Sequence, residues 1–120
     1  GHGISPTLMQ QFYQGFEDVL ARPAEEKAKL GGPAVWYQRG WTPPDTEKAV
    51  VAGGQPDFKE CYFVAPIPLD QGCQIEYPQI YARNIWPEES GPFKENYLRL
   101  GLRLHEIGLS LLGSIARGLG

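Results

Sequence analysis

Apolar positions recur with helical spacing over the last part of the chain and more raggedly before it. From Pro92 onward, Phe93, Tyr97, Leu100, Leu104, Ile107, Leu111 and Ile115 follow one another at intervals of three and four, which places them on one face of a 3.6-residue helix. A second stripe, Leu98, Leu102, Leu109, Leu112, Ala116 and Leu119, lies on an adjacent face. Only a narrow polar surface remains, carrying Lys94, Glu95, Arg99, Arg103, Glu106, Ser110 and Arg117. A helix this apolar belongs between two layers of protein. About 27 residues at 1.5 Å each span about 40 Å, more than a small domain needs. Gly101, Gly108 and Gly113 each cost about 1 kcal/mol of helix propensity, so another backbone is expected to approach there. The two-sided stripe argues against a coiled-coil seam, and the interspersed charges argue against a membrane span.

Two shorter helices are predicted near the start. Ser5-Pro6 supplies a capping hydroxyl followed by proline at the first helical position, and Leu8, Phe12, Phe16 and Val19 form an apolar face that ends before Pro23. Pro23 can open a second helix to Leu30, with Glu25 and Glu26 in its first turn and Lys27 and Lys29 towards its end, as the helix dipole prefers. Ala34–Trp41 reads as an aromatic strand followed by a turn at Pro43-Pro44-Asp45. Lys48–Gln55 reads as irregular. Asp57–Ala65 reads as a strand burying Phe58, Cys61 and Phe63, and a Pro- and Gly-studded connection runs on through Tyr81.

Length and composition fit one globular domain: 120 residues, 42% apolar, net charge −3. No basic cluster offers a footprint for nucleic acid or an anionic membrane. Two cysteines, Cys61 and Cys73, make no disulfide framework, so a reduced, cytoplasmic setting is expected. Cys61 lies in an apolar context, whereas Cys73 reads as a loop residue open to solvent.

The chemistry is sparse. His2 and His105 are the only imidazoles, and neither has a carboxylate two residues on; Glu106, next to His105, projects about 100° away on the helix, so no facial triad for iron can be assembled. No catalytic serine elbow, phosphate loop or dinucleotide fingerprint is present. Glu25-Glu26 and Glu88-Glu89 read as helix-start acids. The aromatic segment Trp36, Tyr37 and Trp41 around Arg39 reads in two ways. The guanidinium beside aromatic faces can hold a substrate carboxylate or stack a ring, or else the aromatics are core and Arg39 binds a carbonyl or an acid.

Several pieces stand in a telling order: Gly1-His2-Gly3-Ile4, a helix running into Leu20-Ala21-Arg22-Pro23-Ala24-Glu25-Glu26-Lys27, then Arg39-Gly40-Trp41, Asp57-Phe58-Lys59-Glu60, Asn84-Ile85-Trp86-Pro87 and the long helix. This order resembles the N-terminal region of the 2-oxoglutarate- and Fe(II)-dependent oxygenases of the isopenicillin N synthase-like superfamily, with Trp41 where the family carries tyrosine. The resemblance implies that a catalytic double-stranded β-helix, with its iron-binding His-x-Asp and distal His, follows the long helix in the parent enzyme. Residues 1–120 are then expected to be a single partial domain truncated at both ends. The implied class is α+β, a helix-rich fragment with a C-terminal spine helix and a few short strands, lacking the β-helix. The chain itself is expected to bind no cofactor and to catalyse nothing, while the parent uses Fe(II) and 2-oxoglutarate on a small molecule. Tyr37, Arg39 and Trp41 are the candidate substrate contacts. The expected partner is the catalytic domain, or a second copy through the long helix, with no nucleic acid and no membrane. A stand-alone, non-catalytic interaction or oligomerisation module is the alternative.

Overall fold

A computed structural model describes residues 1–48 and 53–120. Helix α1 covers Pro6–Leu20, α2 covers Ala24–Lys27, α3 covers Gln71–Glu76 and α4 covers Gly91–Leu119. Two strands, β1 (Gly40–Thr42) and β2 (Cys61–Phe63), form an antiparallel pair. Among the described residues the architecture is therefore helix-rich α+β with a long C-terminal helix and no double-stranded β-helix.

The start signals act as expected. The Ser5 hydroxyl accepts from the Leu8 N–H at 3.5 Å, with Pro6 at the first helical position. α1 lies against the beginning of α4, and Gly15 permits the approach: a Cβ there would sit 3.0 Å from the Phe93 ring and 3.5 Å from the Phe93 Cα. One cluster of buried residues joins Val19, Leu30, Trp41, Tyr62 and Phe93, with Trp86 and Tyr97 packed on it. The aromatic rings meet edge to face, Tyr62–Phe93 at 5.5 Å, Phe93–Tyr97 at 5.6 Å and Trp86–Phe93 at 5.9 Å, an arrangement worth something beyond area alone. A smaller cluster of Ile4, Leu8 and Leu100 continues it along the α1–α4 seam.

Three expectations are corrected. The aromatic strand over Ala34–Trp41 is absent until Gly40: Pro33–Val35 forms a 3-10 turn, and Trp36 and Tyr37 take left-handed backbone angles that no strand accepts. Asp57–Ala65 shortens to Cys61–Phe63 with the opposite face inward. Tyr62 is buried, Cys61 is half-buried, Phe63 is exposed, and Phe58 is 89% exposed. Tyr62 pairs directly with Trp41, and a one-residue slip in register inverts every side chain. The connection before Tyr81 contains α3, capped by Asp70 accepting from the Cys73 N–H at 2.9 Å, so Cys73 is a half-buried helical residue and not an open loop thiol. Half of the irregular reading of Lys48–Gln55, residues 49–52, lies outside the described residues; Lys48 bridges Pro56 at its edge.

The long helix is packed along part of its length only. Its buried residues are Phe93, Asn96 and Leu100, all in the first three turns. Gly101 is the one glycine of the predicted three with a close neighbour outside the helix, since a Cβ there would fall 2.5 Å from Pro66 Cβ; at Gly108 it would meet nothing. Leu104, and beyond Gly108 also Leu109, Leu111, Leu112, Ile115 and Leu119, are exposed, on both stripes. The chain's accessible surface of 8581 Å² is about a third above the roughly 6,400 Å² that a folded monomer of this mass shows.

Candidate functional site

The segment from Gly31 to Thr42 is fixed by contacts that only glycine allows. Gly40 sits at φ +73°, and a Cβ on it would lie 1.6 Å from the Leu30 carbonyl oxygen. Gly31 faces it across this crossing, with its own Cβ position 2.2 Å from the Trp41 carbonyl oxygen. Between these two points the chain must turn tightly. Trp36 and Tyr37 do so at φ 50° and 53°, two consecutive left-handed residues that are not glycine, each costing about 1–2 kcal/mol. Backbone bonds hold the turn: Trp36 N–H to Pro33 O (2.9 Å), Tyr37 N–H to Gly32 O (3.1 Å) and Gln38 N–H to Val35 O (2.9 Å). The Thr42 hydroxyl adds a bond to the Tyr37 carbonyl at 3.3 Å.

The structure gives the three predicted site residues different surroundings. Trp41 is buried in the core. Arg39 is half-buried and donates from Nε to the Ala82 carbonyl at 3.0 Å and from Nη1 to the Gln38 carbonyl at 2.5 Å, and burial lowers its pKa from the ordinary guanidinium value. Tyr37 is half-buried, and Trp36 beside it is 60% exposed. The turn thus offers a phenol, an indole face and the uncommitted edge of a guanidinium, with Trp41 as its root.

That root is tied by a polar node which helix-dipole reasoning missed. The carboxylate of Glu60 accepts from Lys27 Nζ and, at 2.8 Å, from the Trp41 indole N–H. Lys27 also donates to the Leu20 carbonyl at 2.9 Å and lies 5.3 Å from the centre of the Trp41 ring. Burial works against the Glu60 charge, but the bonds from Lys27 and Trp41 outweigh it and hold the carboxyl below the usual glutamate range. Lys59, one residue earlier, points to solvent, where Glu47 (2.7 Å) and Asp57 (3.1 Å) raise its pKa. The signal for the node lay in the ordered motifs: Lys27, Trp41 and Glu60 each close one of them.

The Asn84-Ile85-Trp86-Pro87 motif has a structural task as well. The Asn84 amide bonds both the N–H and the carbonyl of Ala65, each at 2.8 Å, substituting for a strand partner. Tyr62 donates to the Ile85 carbonyl and Tyr97 to the Tyr62 carbonyl, both at 2.6 Å, and burial pushes both phenols up. On the other side of Tyr97 an apolar cleft of about 490 Å³ runs along the α1–α4 seam, lined also by His2, Phe12, Tyr13, Leu104 and neighbours. His2 accepts the Ile4 N–H on Nδ1 at 3.1 Å. Among the described residues no three His, Cys, Asp or Glu side chains converge on a point that could hold a metal, so this donor set does not fit iron. No described helix is long and apolar enough to cross a membrane.

The sequence family described as non-haem dioxygenase in morphine synthesis, N-terminal, matches residues 1–89. Kihadalactone A synthase of Citrus sinensis is 33% identical over 90 residues, covering 72% of this chain and 25% of that protein. Homoarginine-6-hydroxylase of Oryza sativa subsp. japonica is 29% identical over 126 aligned residues, covering the whole chain and 36% of the relative. Azadirone synthase of Melia azedarach is 30% identical over 88 residues, covering 72% of the chain and 25% of the relative. The chain therefore spans about a quarter to a third of the length of these curated relatives. No solved structure matches.

Proposed function

Because the chain belongs to the non-haem dioxygenase N-terminal family, as the N-terminal region of the 2-oxoglutarate- and Fe(II)-dependent oxygenase superfamily, we propose that it is the substrate-side part of a small-molecule oxygenase. In this reading residues 1–120 are a partial domain. The catalytic β-helix, with Fe(II) and 2-oxoglutarate, is supplied by further polypeptide in a cytoplasmic enzyme. The observation that carries it is the bare outer half of α4: Leu111 is 60% and Leu112 63% exposed, one on each stripe, in a chain a quarter to a third as long as its relatives. Leaving such side chains in water forgoes about 1.5–3 kcal/mol each, so a covering layer has ample driving force.

The 31–42 turn is assigned to the substrate. Tyr37 and Arg39 provide a hydroxyl and a cation at its edge, and Trp41 anchors the segment from below. The named relatives make kihadalactone A and azadirone or hydroxylate homoarginine, and a small organic molecule is the class carried over here.

No step involving iron is assigned to this chain, because its donors do not fit the metal. The chain incubated with Fe(II), 2-oxoglutarate and O₂ is expected to release no succinate above a protein-free control, and succinate production would overturn the division of labour. Sequencing the coding region beyond residue 120 separates the two readings that the bare helix supports. A His-x-Asp with a distal His settles for the oxygenase, whereas a stop codon favours an interaction module that docks or self-associates through α4.

A further inference from the structure

We propose that Glu60 is a positioning residue: through Trp41 it locks the left-handed turn at Trp36 and Tyr37, so that the presented Tyr37–Arg39 edge has one conformation. This concerns the turn assigned to the substrate above, but it stands on the turn's own geometry.

Two consecutive non-glycine residues in left-handed angles persist only where the surroundings over-determine them. The turn's own three backbone bonds are short-range and could equally form in a relaxed loop. Two things tie the turn to the body of the molecule: the Arg39 Nε bond to the Ala82 carbonyl, which does not reach the Trp36–Tyr37 backbone itself, and β1, which does. Trp41 is fixed at its indole N–H by Glu60, and the next residue, Thr42, bonds the Tyr37 carbonyl. Glu60 is itself immobilised by Lys27, whose second bond to the Leu20 carbonyl anchors the node at the end of α1. The glycine crossing at Gly31 and Gly40 leaves the strand no room to shift sideways. The route from Glu60 to the turn is therefore indole, strand, Thr42, Tyr37. The charged groups near the carboxylate are Lys27 from α2 and, one residue away, Lys59, which is engaged by Glu47 and Asp57. Among the described residues nothing else polar is bonded to the indole.

Amide hydrogen exchange of the 120-residue chain reads this directly, independently of any substrate or activity. Glu60→Leu and Trp41→Phe should each speed exchange at Trp36, Tyr37 and Gln38 roughly tenfold or more, the scale of a lost charge-assisted bond, while Phe93 to Leu100 in α4 is unaffected. The double variant should be no faster than either single one, because both cut the same link. Unchanged turn protection, acceleration spread equally through α1 and α4, or additive effects would each overturn the proposal. Should Glu60→Leu not fold, acidifying the unmodified chain decides. After correction for intrinsic exchange, turn protection should fall together with a shift of the Trp41 indole proton resonance, and a turn that keeps its protection while that resonance moves refutes the link.

Discussion

α4 is one helix in two environments, and its sequence barely distinguishes them. The first three turns put Phe93 and Leu100 into the core and bring Asn96 under cover, and Ile107 still packs on the Leu100 cluster, whereas the turns after it repeat the same three-and-four spacing with their apolar side chains exposed. Spacing reports which faces are apolar. It does not report whether a given chain contains the layer that covers them. The difference is made by neighbours: α1 through Gly15, Pro66 against Gly101, and the aromatic group of Tyr62, Trp86 and Tyr97.

The comparison breaks first at the packed end. Gly40→Ala places a Cβ where the Leu30 oxygen lies 1.6 Å away and forces a left-handed residue, so strain of several kcal/mol, beyond the usual 1–3 kcal/mol of overpacking, should leave no cooperative thermal transition. Phe93→Ala removes the hub of the aromatic cluster and should cost about 3–5 kcal/mol in denaturant unfolding. If Leu112→Ala cost as much, the outer half of α4 would have a partner within the chain; the expected value is within about 0.5 kcal/mol. Replacing Leu109, Leu112 and Ile115 together by Glu should leave stability almost unchanged yet convert an oligomer into a monomer in size exclusion. A chain that is already a clean monomer at high concentration would argue against the missing layer.

How much of this was readable beforehand follows the same division. Local signals worked where the physics is local: the Ser5-Pro6 start, the Gly91-Pro92 entry to α4 and the turn at Pro43-Pro44-Asp45. Non-local chemistry was the failure. Lys27 read as a helix-end charge and Glu60 as part of a strand entry, because nothing in either neighbourhood signals that residues 33 apart share a bond. The inversion of Phe58–Phe63 has the same origin, since the partner Trp41 decides which face of the short β2 turns inward. The resemblance marked the right residues, Lys27, Gly40, Trp41, Glu60 and Asn84, but it said nothing of their structural tasks.

Within the packed region two sets of groups should differ in their response to pH. Glu60 is held below the ordinary glutamate value, so its contribution to stability is complete above about pH 4.3 and is lost as pH falls through its lower folded value. Tyr62 and Tyr97 are raised, so their contribution is complete below about pH 10 and is lost as pH rises beyond that. Denaturant midpoints across pH should therefore fall at both extremes, with the acid limb shallower in Glu60→Gln. An unchanged acid limb in that variant would remove Glu60 from the account.

A single methyl group gives the sharpest test of what covers the bare half. Gly108 carries the usual helix penalty, yet a Cβ there meets nothing within 4 Å, unlike Gly101 seven residues earlier. In the 120-residue chain Gly108→Ala should therefore stabilise by up to about 1 kcal/mol, raising the denaturant midpoint slightly. In a longer protein whose second layer approaches α4 closely at that glycine, the same methyl group would meet backbone, and the sign should reverse. Gain in the short chain with loss in the long one would place the covering layer at Gly108. Equal gain in both would move its closest approach elsewhere along the helix.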